Sequence, residues 1–286
     1  MGRSLFVLAL VFCLSLPIAG CAGGDDDVMR VSVTIMPQKY FVERIAGDLA
    51  AVTCAVPPGM SPESYDVSPS SMAAISASVA YFKVGTLGFE LNYLPAIESN
   101  NPEIKIFDTS EGIAPIVDVC GGHGEEHGAE FDPHVWSSPL AAKIMAENIC
   151  KGLVEIDPEN ADVYKANFNV LAAEMDSVDS VVRMRLKGAE GKMFAIYHPS
   201  LSYFARDYGL KQLPLESEGK ELTPLSMKNA IDTARANGVK RVFVQSEFNP
   251  DLVKEFASAI NAEVVVINPL SYEWKDEILK IADAVE

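Results

Sequence analysis

Short apolar runs and longer stretches with an apolar residue at every third or fourth position take turns along this chain. V-S-V-T-I (31–35), V-T-C-A-V (52–56), Y-F-K-V (81–84) and I-K-I-F (104–107) read as strands. A helical pattern runs through Phe41, Ile45 and Leu49 after the first of them, and Met72, Ile75 and Val79 place a short helix over 68–78. Residues 139–155 predict another helix, with Pro139 near its start. Strands separated by helices imply βαβ units and a parallel sheet.

The rhythm changes at Asp157-Pro158, a good helix start, after which neither proline nor glycine occurs until Gly188. Tyr164, Phe168, Leu171, Met175, Val178, Val182 and Leu186 recur at three- and four-residue spacing. A helix of about 30 residues would span about 45 Å. That length near mid-chain suggests a rigid connector between two lobes. Beyond it, M-F-A-I-Y (193–197), R-V-F-V-Q (241–245) and E-V-V-V-I (263–267) are strand candidates, alternating with helical patterns at 224–237, 249–260 and 275–285. The expected fold is therefore α/β: two lobes with parallel sheets flanked by helices, joined by one long helix. The expected division is an N-terminal lobe over 30–156, a connector over 157–188 and a C-terminal lobe over 189–286, each lobe of ordinary domain size.

The first 20 residues lie outside that scheme. One basic residue, an apolar run and the small pair Ala19-Gly20 precede Cys21, the layout of a secretory signal too short for a comfortable membrane span. Ile18-Ala19-Gly20-Cys21 is similar to a bacterial lipobox, in which the cysteine receives lipid and becomes the first residue of the mature chain. Residues 21–29, with A-G-G-D-D-D at their core, read as a flexible tether. The expected location is extracytoplasmic, anchored to a membrane by lipid on Cys21. Of the other cysteines in the mature chain, Cys54, Cys120 and Cys150 form no C-x-x-C pair, so a thiolate zinc knuckle is not expected. One disulfide with a spare thiol and three free thiols both remain open.

The whole chain of 286 residues has a formal charge of −17. Such a surface repels nucleic acid and gathers cations, so no nucleic-acid partner is expected. The four histidines sharpen this, because all fall in two short stretches: His123, His127 and His134 in G-G-H-G-E-E-H-G-A-E-F-D-P-H-V-W, and His198 in K-M-F-A-I-Y-H-P-S. Neutral imidazole is the commonest protein ligand for zinc and its neighbours. Ligands of open parallel sheets bind beyond the carboxyl ends of strands. His198 directly follows strand 193–197, Asn268 follows strand 263–267, and Gln245 and Glu247 end or follow strand 241–245. Glu63 follows strand 52–56, and His134 is borne on a loop. A cleft between the lobes would collect Glu63 and His134 from one side and His198 with an oxygen ligand from the other, a donor set suited to zinc.

P-P-G-M-S-P-E-S-Y-D, D-P-H-V-W-S-S-P, Y-H-P-S-L-S-Y-F-A-R-D-Y-G-L, E-S-E-G-K-E-L-T-P and V-I-N-P-L occur in that order. Together they resemble the metal-receptor class (cluster A-I) of solute-binding lipoproteins that serve ABC importers for zinc and manganese. The resemblance implies two lobes, one long helix, a metal in the cleft (Zn²⁺, with Mn²⁺ the alternative), a permease partner and a monomer without enzymatic activity. Against the family pattern, Glu63 stands in place of the first histidine and Asn268 in place of the final aspartate. Glu247 is the candidate compensating carboxylate. H-G-E-E-H resembles a reduced form of the histidine- and acid-rich loop of some zinc receptors, with His123 and His127 as auxiliary ligands. An adhesin-like lipoprotein would share this scaffold. A zinc hydrolase finds no support, since the chain has no H-E-x-x-H helix, no G-x-S-x-G elbow and no phosphate loop.

Overall fold

The computed structural model describes residues 28–117, 131–217 and 220–285. Cys21, Cys120, His123 and His127 lie outside them. The first sheet is built from β1 (Met29–Val33), β2 (Ala50–Cys54), β3 (Ala80–Lys83) and β4 (Lys105–Asp108), in the order β2-β1-β3-β4 and parallel throughout. Its helices are α1 (Met36–Ala46), α2 (Pro69–Ser76), α3 (Gly88–Asn100) and α4 (Pro139–Ile156). Strand alternation divides the sheet's two faces. Val31, Val33, Ala80 and Phe82 enter one core cluster with residues of α1 and α4, while Tyr81 enters another with Ile75, Phe89 and Ile97.

α5 (Ala161–Arg185) leads to the second lobe, with β5 (Met193–Ile196), α6 (Ser202–Asp207), β6 (Lys211–Pro214), a two-stranded hairpin β7–β8 (Glu216–Ser217, Lys220–Glu221), α7 (Pro224–Ala236), β9 (Arg241–Gln245), α8 (Asp251–Ile260), β10 (Glu263–Ile267) and α9 (Trp274–Val285). The main sheet of this lobe is also parallel, in the order β10-β9-β5-β6. Ala195, Val242 and Val244 face a cluster formed with α7 and α8. Phe194, Ile196 and Phe243 face the other way, into the same cluster that holds Val31 and Phe82 of the first lobe. Tyr164, Leu171, Met175, Val178 and Val182 of α5 supply the middle of that cluster. The connector is thus the shared core of both lobes rather than a free strut.

The connector is shorter than its periodicity suggests. Residues Pro158–Asn160 form a 3₁₀ turn ahead of α5, and Asp157 accepts hydrogen bonds from Asn160 Nδ2 at 2.8 Å and Tyr164 Oη at 2.5 Å. At the other end the chain turns at Gly188, whose φ of +84° suits glycine. α3 has no counterpart among the predicted elements because Pro95 interrupts it. The missing N–H leaves the Leu91 carbonyl without its helical partner on an exposed turn, where water can satisfy it. Among the described residues, no helix is long and apolar enough to cross a membrane, and Cys54 and Cys150 are free thiols.

Gly152 of α4 marks the tightest contact with the first sheet. A Cβ there would lie 2.5 Å from Phe82 Cε1 and 3.0 Å from Phe107 Cγ, atoms of two rings stacked 5.2 Å apart. Alanine in a helix interior ordinarily gains about 1 kcal/mol over glycine. Here the clash should outweigh that gain, and Gly152→Ala is expected to destabilise by about 1–3 kcal/mol. Denaturant unfolding checks this, and an unchanged or raised midpoint would show that the rings yield freely.

Candidate metal centre

The carboxyl ends of the strands of both sheets open on one cleft, lined by Ser61, Glu63, His134, His198, Ser200 and Glu247, with Trp136, Pro269 and Leu270 closing it. His134 comes from a 3₁₀ entry to α4, and its ring is nearly buried at 6% exposure. Its orientation is set by Asp132, two residues before it. Asp132 Oδ1 accepts from the His134 backbone N–H at 2.8 Å and lies 2.9 Å from His134 Nδ1. Burial alone would lower the His134 pKa, but the Asp132 carboxylate prevails and raises it. Burial would in turn raise the Asp132 carboxyl, and the charge and N–H groups of His134 hold it below its usual value instead.

His198 stands two residues past β5 in the opposite lobe. Its Nδ1 lies 2.8 Å from Glu216 Oε1, which the hairpin after β6 brings back over the sheet edge. Gln245, at the end of β9, donates through Nε2 to the His198 carbonyl at 2.5 Å and to Ser200 Oγ at 2.7 Å, tying the His198 turn to the sheet. Each imidazole therefore gives its Nδ1 side to a carboxylate and turns Nε2 into the cleft. The two Nε2 atoms face one another across the lobes at 3.1 Å.

Glu63, exposed at the rim, is held by a different partner. Its Oε2 accepts the Gly88 N–H at 3.0 Å at the start of α3, and the Pro62 carbonyl accepts from Phe89 N–H at 2.8 Å. A Cβ on residue 88 would lie 2.8 Å from the Glu63 carbonyl oxygen, so glycine permits this approach. Glu247 projects from the turn after β9, half-buried, and burial raises its pKa. Asn268 directly precedes Pro269 and Leu270, which close the cleft. β10 is an edge strand with β9 between it and β5, and the Asn268 N–H is taken by Glu277 of α9 at 2.6 Å. Among the described residues, no three histidine, cysteine, aspartate or glutamate side chains converge on one point. His134 and His198 are brought together, while Glu63 and Glu247 share their cavity and act on His134 through their charge.

Sequence reasoning did not single out Asp132 or Glu216. Asp132 was legible in the D-P-H triplet, where an acid two residues before a histidine readily reaches Nδ1. Glu216 was not, because its approach to His198 depends on the hairpin. Tyr203 belongs to the same group of supports: its hydroxyl donates to the Asp132 carbonyl at 2.9 Å and accepts the Ile116 N–H at 3.2 Å, joining α6 to the first lobe. The two tryptophans fasten the lobes beside the site. Trp136 Nε1 donates to the Pro269 carbonyl at 2.9 Å and Trp274 Nε1 to the Trp136 carbonyl at 2.8 Å.

Two parallel-sheet lobes fused through one long helix, with a pair of oriented imidazoles in the cleft between them, are the architecture of a two-lobed solute-binding protein, and similarity to known proteins makes it an extracytoplasmic receptor for a divalent transition metal in ABC import. The family described as zinc-uptake complex component A, periplasmic, matches residues 31–280, and the chain belongs to it. It is 28% identical over 292 residues to the high-affinity zinc uptake system protein ZnuA of Bacillus subtilis, covering 96% of this chain and 90% of that one. Among solved structures, a ZnuA deletion variant with zinc bound is 36% identical, with a TM-score of 0.82 over 90% of this chain and 96% of the other. A manganese-bound periplasmic metal-binding protein of Candidatus Liberibacter asiaticus is 26% identical, with a TM-score of 0.78 over 90% of this chain and all of the other. The family is one of binding and transport proteins, not enzymes.

Proposed function

We propose that this chain captures Zn²⁺ between His134 and His198 and delivers it to a membrane permease. The observation that carries this reading is the 3.1 Å approach of the two Nε2 atoms while both Nδ1 atoms engage carboxylates. With the N–H of each neutral ring on its Nδ1, both Nε2 lone pairs face the same point between the lobes, which either a shared proton or a metal ion fills. Zn–N bonds of about 2.0–2.1 Å at a tetrahedral angle separate two ligand nitrogens by about 3.3 Å, so little movement is needed to admit the ion. Glu63 supplies an oxygen by turning its free Oε1 inward while Oε2 stays on Gly88. Two imidazoles favour zinc over manganese, because nitrogen ligands raise affinity for metals late in the divalent series. The family's zinc-uptake description and the zinc-bound relative support the same choice.

The remaining parts of the reading follow from the sequence. Lipid on Cys21 and the tether to residue 29 hold the receptor at a membrane surface, and residues 30–156 and 189–286 act as the two lobes on the connector at 157–188. His123 and His127 collect the ion loosely before it passes inward.

Replacing His134 or His198 by alanine should weaken Zn²⁺ binding by about ten-fold or more, since a direct ligand matters at least as much as supporting partners worth about 10–100-fold. Competitive titration of chelator-stripped protein with Zn²⁺ and Mn²⁺ is the measurement. Parent-like binding by both variants would refute the site, and equal or tighter manganese binding would overturn the metal assignment. Acid should release the metal early. Because the His134 pKa is raised, protonation of its lone pair competes with the ion as pH falls from above the ordinary imidazole value of about 6.5. Asp132, with its pKa lowered, stays ionised throughout that range. Zinc affinity measured between about pH 8 and 5 should therefore begin to fall above about 6.5; a decline confined to pH below about 5 would contradict this. Finally, Cys21→Ala should give a form that is unprocessed or no longer held by lipid, and normal cleavage with full membrane retention would exclude lipidation there.

A further inference from the structure

Glu247 has no assigned purpose in a merely structural account of the cleft. It shares the cavity with Glu63, His134 and His198, and it sits in the turn after β9, the neighbour of the strand that presents His198. Its carboxylate accepts its own backbone N–H and, at 3.4 Å, the Ser246 hydroxyl. Among the described residues, no lysine or arginine forms an ion pair with it, and the basic groups that act on it are the two imidazoles. A carboxylate drawn half out of water with no counter-cation loses stabilisation of its charge, which a bound cation would restore. At the next strand end, Asn268 offers only a neutral amide. Its backbone N–H is taken by Glu277 of α9.

We infer that Glu247 is a direct ligand of the captured ion and supplies, from the turn after β9, the charged C-lobe oxygen that the neutral amide of Asn268 lacks. This rests on the reading of His134 and His198 as ligands. The resulting set is two imidazoles and two carboxylates, which neutralises a divalent cation and suits tetrahedral coordination. Glu63 approaches from the N-lobe and Glu247 from the C-lobe, so each lobe contributes one nitrogen and one oxygen.

The experiment compares the chelator-stripped mature chain with Glu247→Gln, Asn268→Ala and His198→Ala, by competitive Zn²⁺ titration and by X-ray absorption of the zinc-loaded proteins. The amide in Glu247→Gln keeps the size of the side chain and removes its charge. The expected result is a loss of affinity of about ten-fold or more for Glu247→Gln, and less than about two-fold for Asn268→Ala. The parent's absorption spectrum should fit two imidazole nitrogens and two carboxylate oxygens. Parent-like affinity for Glu247→Gln, or an equal loss for Asn268→Ala, would overturn the assignment. His198→Ala separates the two layers: if it binds zinc like the parent, the site itself is wrong. If it loses binding while Glu247→Gln does not, only the role of Glu247 falls.

Discussion

Two imidazole Nε2 atoms meet from opposite lobes at 3.1 Å, close enough to share a proton or to clasp a metal ion, and the surrounding structure holds them in that position. Asp132 and Glu216 each occupy the Nδ1 side of one ring, which leaves Nε2 as the group facing the cleft. The carboxylates also make the rings better donors and raise the cost of turning either away. Neither ring would keep its place without its backbone anchor: Asp132 grips the His134 N–H as well as its ring, and Gln245 holds the His198 turn against β9.

Such a pairing across a cleft has meaning only if the lobes keep a set distance. That distance is governed by the single apolar cluster running from β1 and β3 through α5 to β5 and α9. Hinge opening would expose part of this cluster to water, at about 25 cal/mol for each Å² of apolar surface. Nearer the site, the Trp136 indole bond to Pro269, the Trp274 indole bond to Trp136 and the Tyr203 bridge tie the His134 segment to the C-terminal lobe. The Arg44–Glu174–Lys275 chain does the same on the far side, linking α1, α5 and α9 with ion pairs at 2.7 and 3.2 Å.

The two lobes, the parallel character of both sheets and the connector could be read from periodicity alone. Val31 and Val33, or Phe194 and Ile196, alternate with small or polar residues because each strand must serve two faces, and α5 advertises its buried stripe through Tyr164, Leu171, Met175, Val178 and Val182. These patterns are local, since each element's apolar face is spelled out within its own residues. α3 escaped because Pro95 masks a helix that only its surroundings make tolerable, and the β7–β8 hairpin escaped because strands of two residues carry no period.

At the centre, the chemistry on offer was already legible along the chain: histidine beside aspartate in D-P-H, histidine at a strand end in Y-H-P, and carboxylates at Glu63 and Glu247. Which of these meet was left to the folded arrangement. His134 and His198 are 64 residues apart in the chain and 3.1 Å apart in space, and Glu216 reaches His198 only because a hairpin folds back. Asn268 and Glu247 look equivalent as residues that follow strands. Strand order separates them, placing β9 beside β5 and β10 at the edge. Order within a sheet arises from crossovers between distant segments, and that is information no local pattern of apolar and polar residues contains.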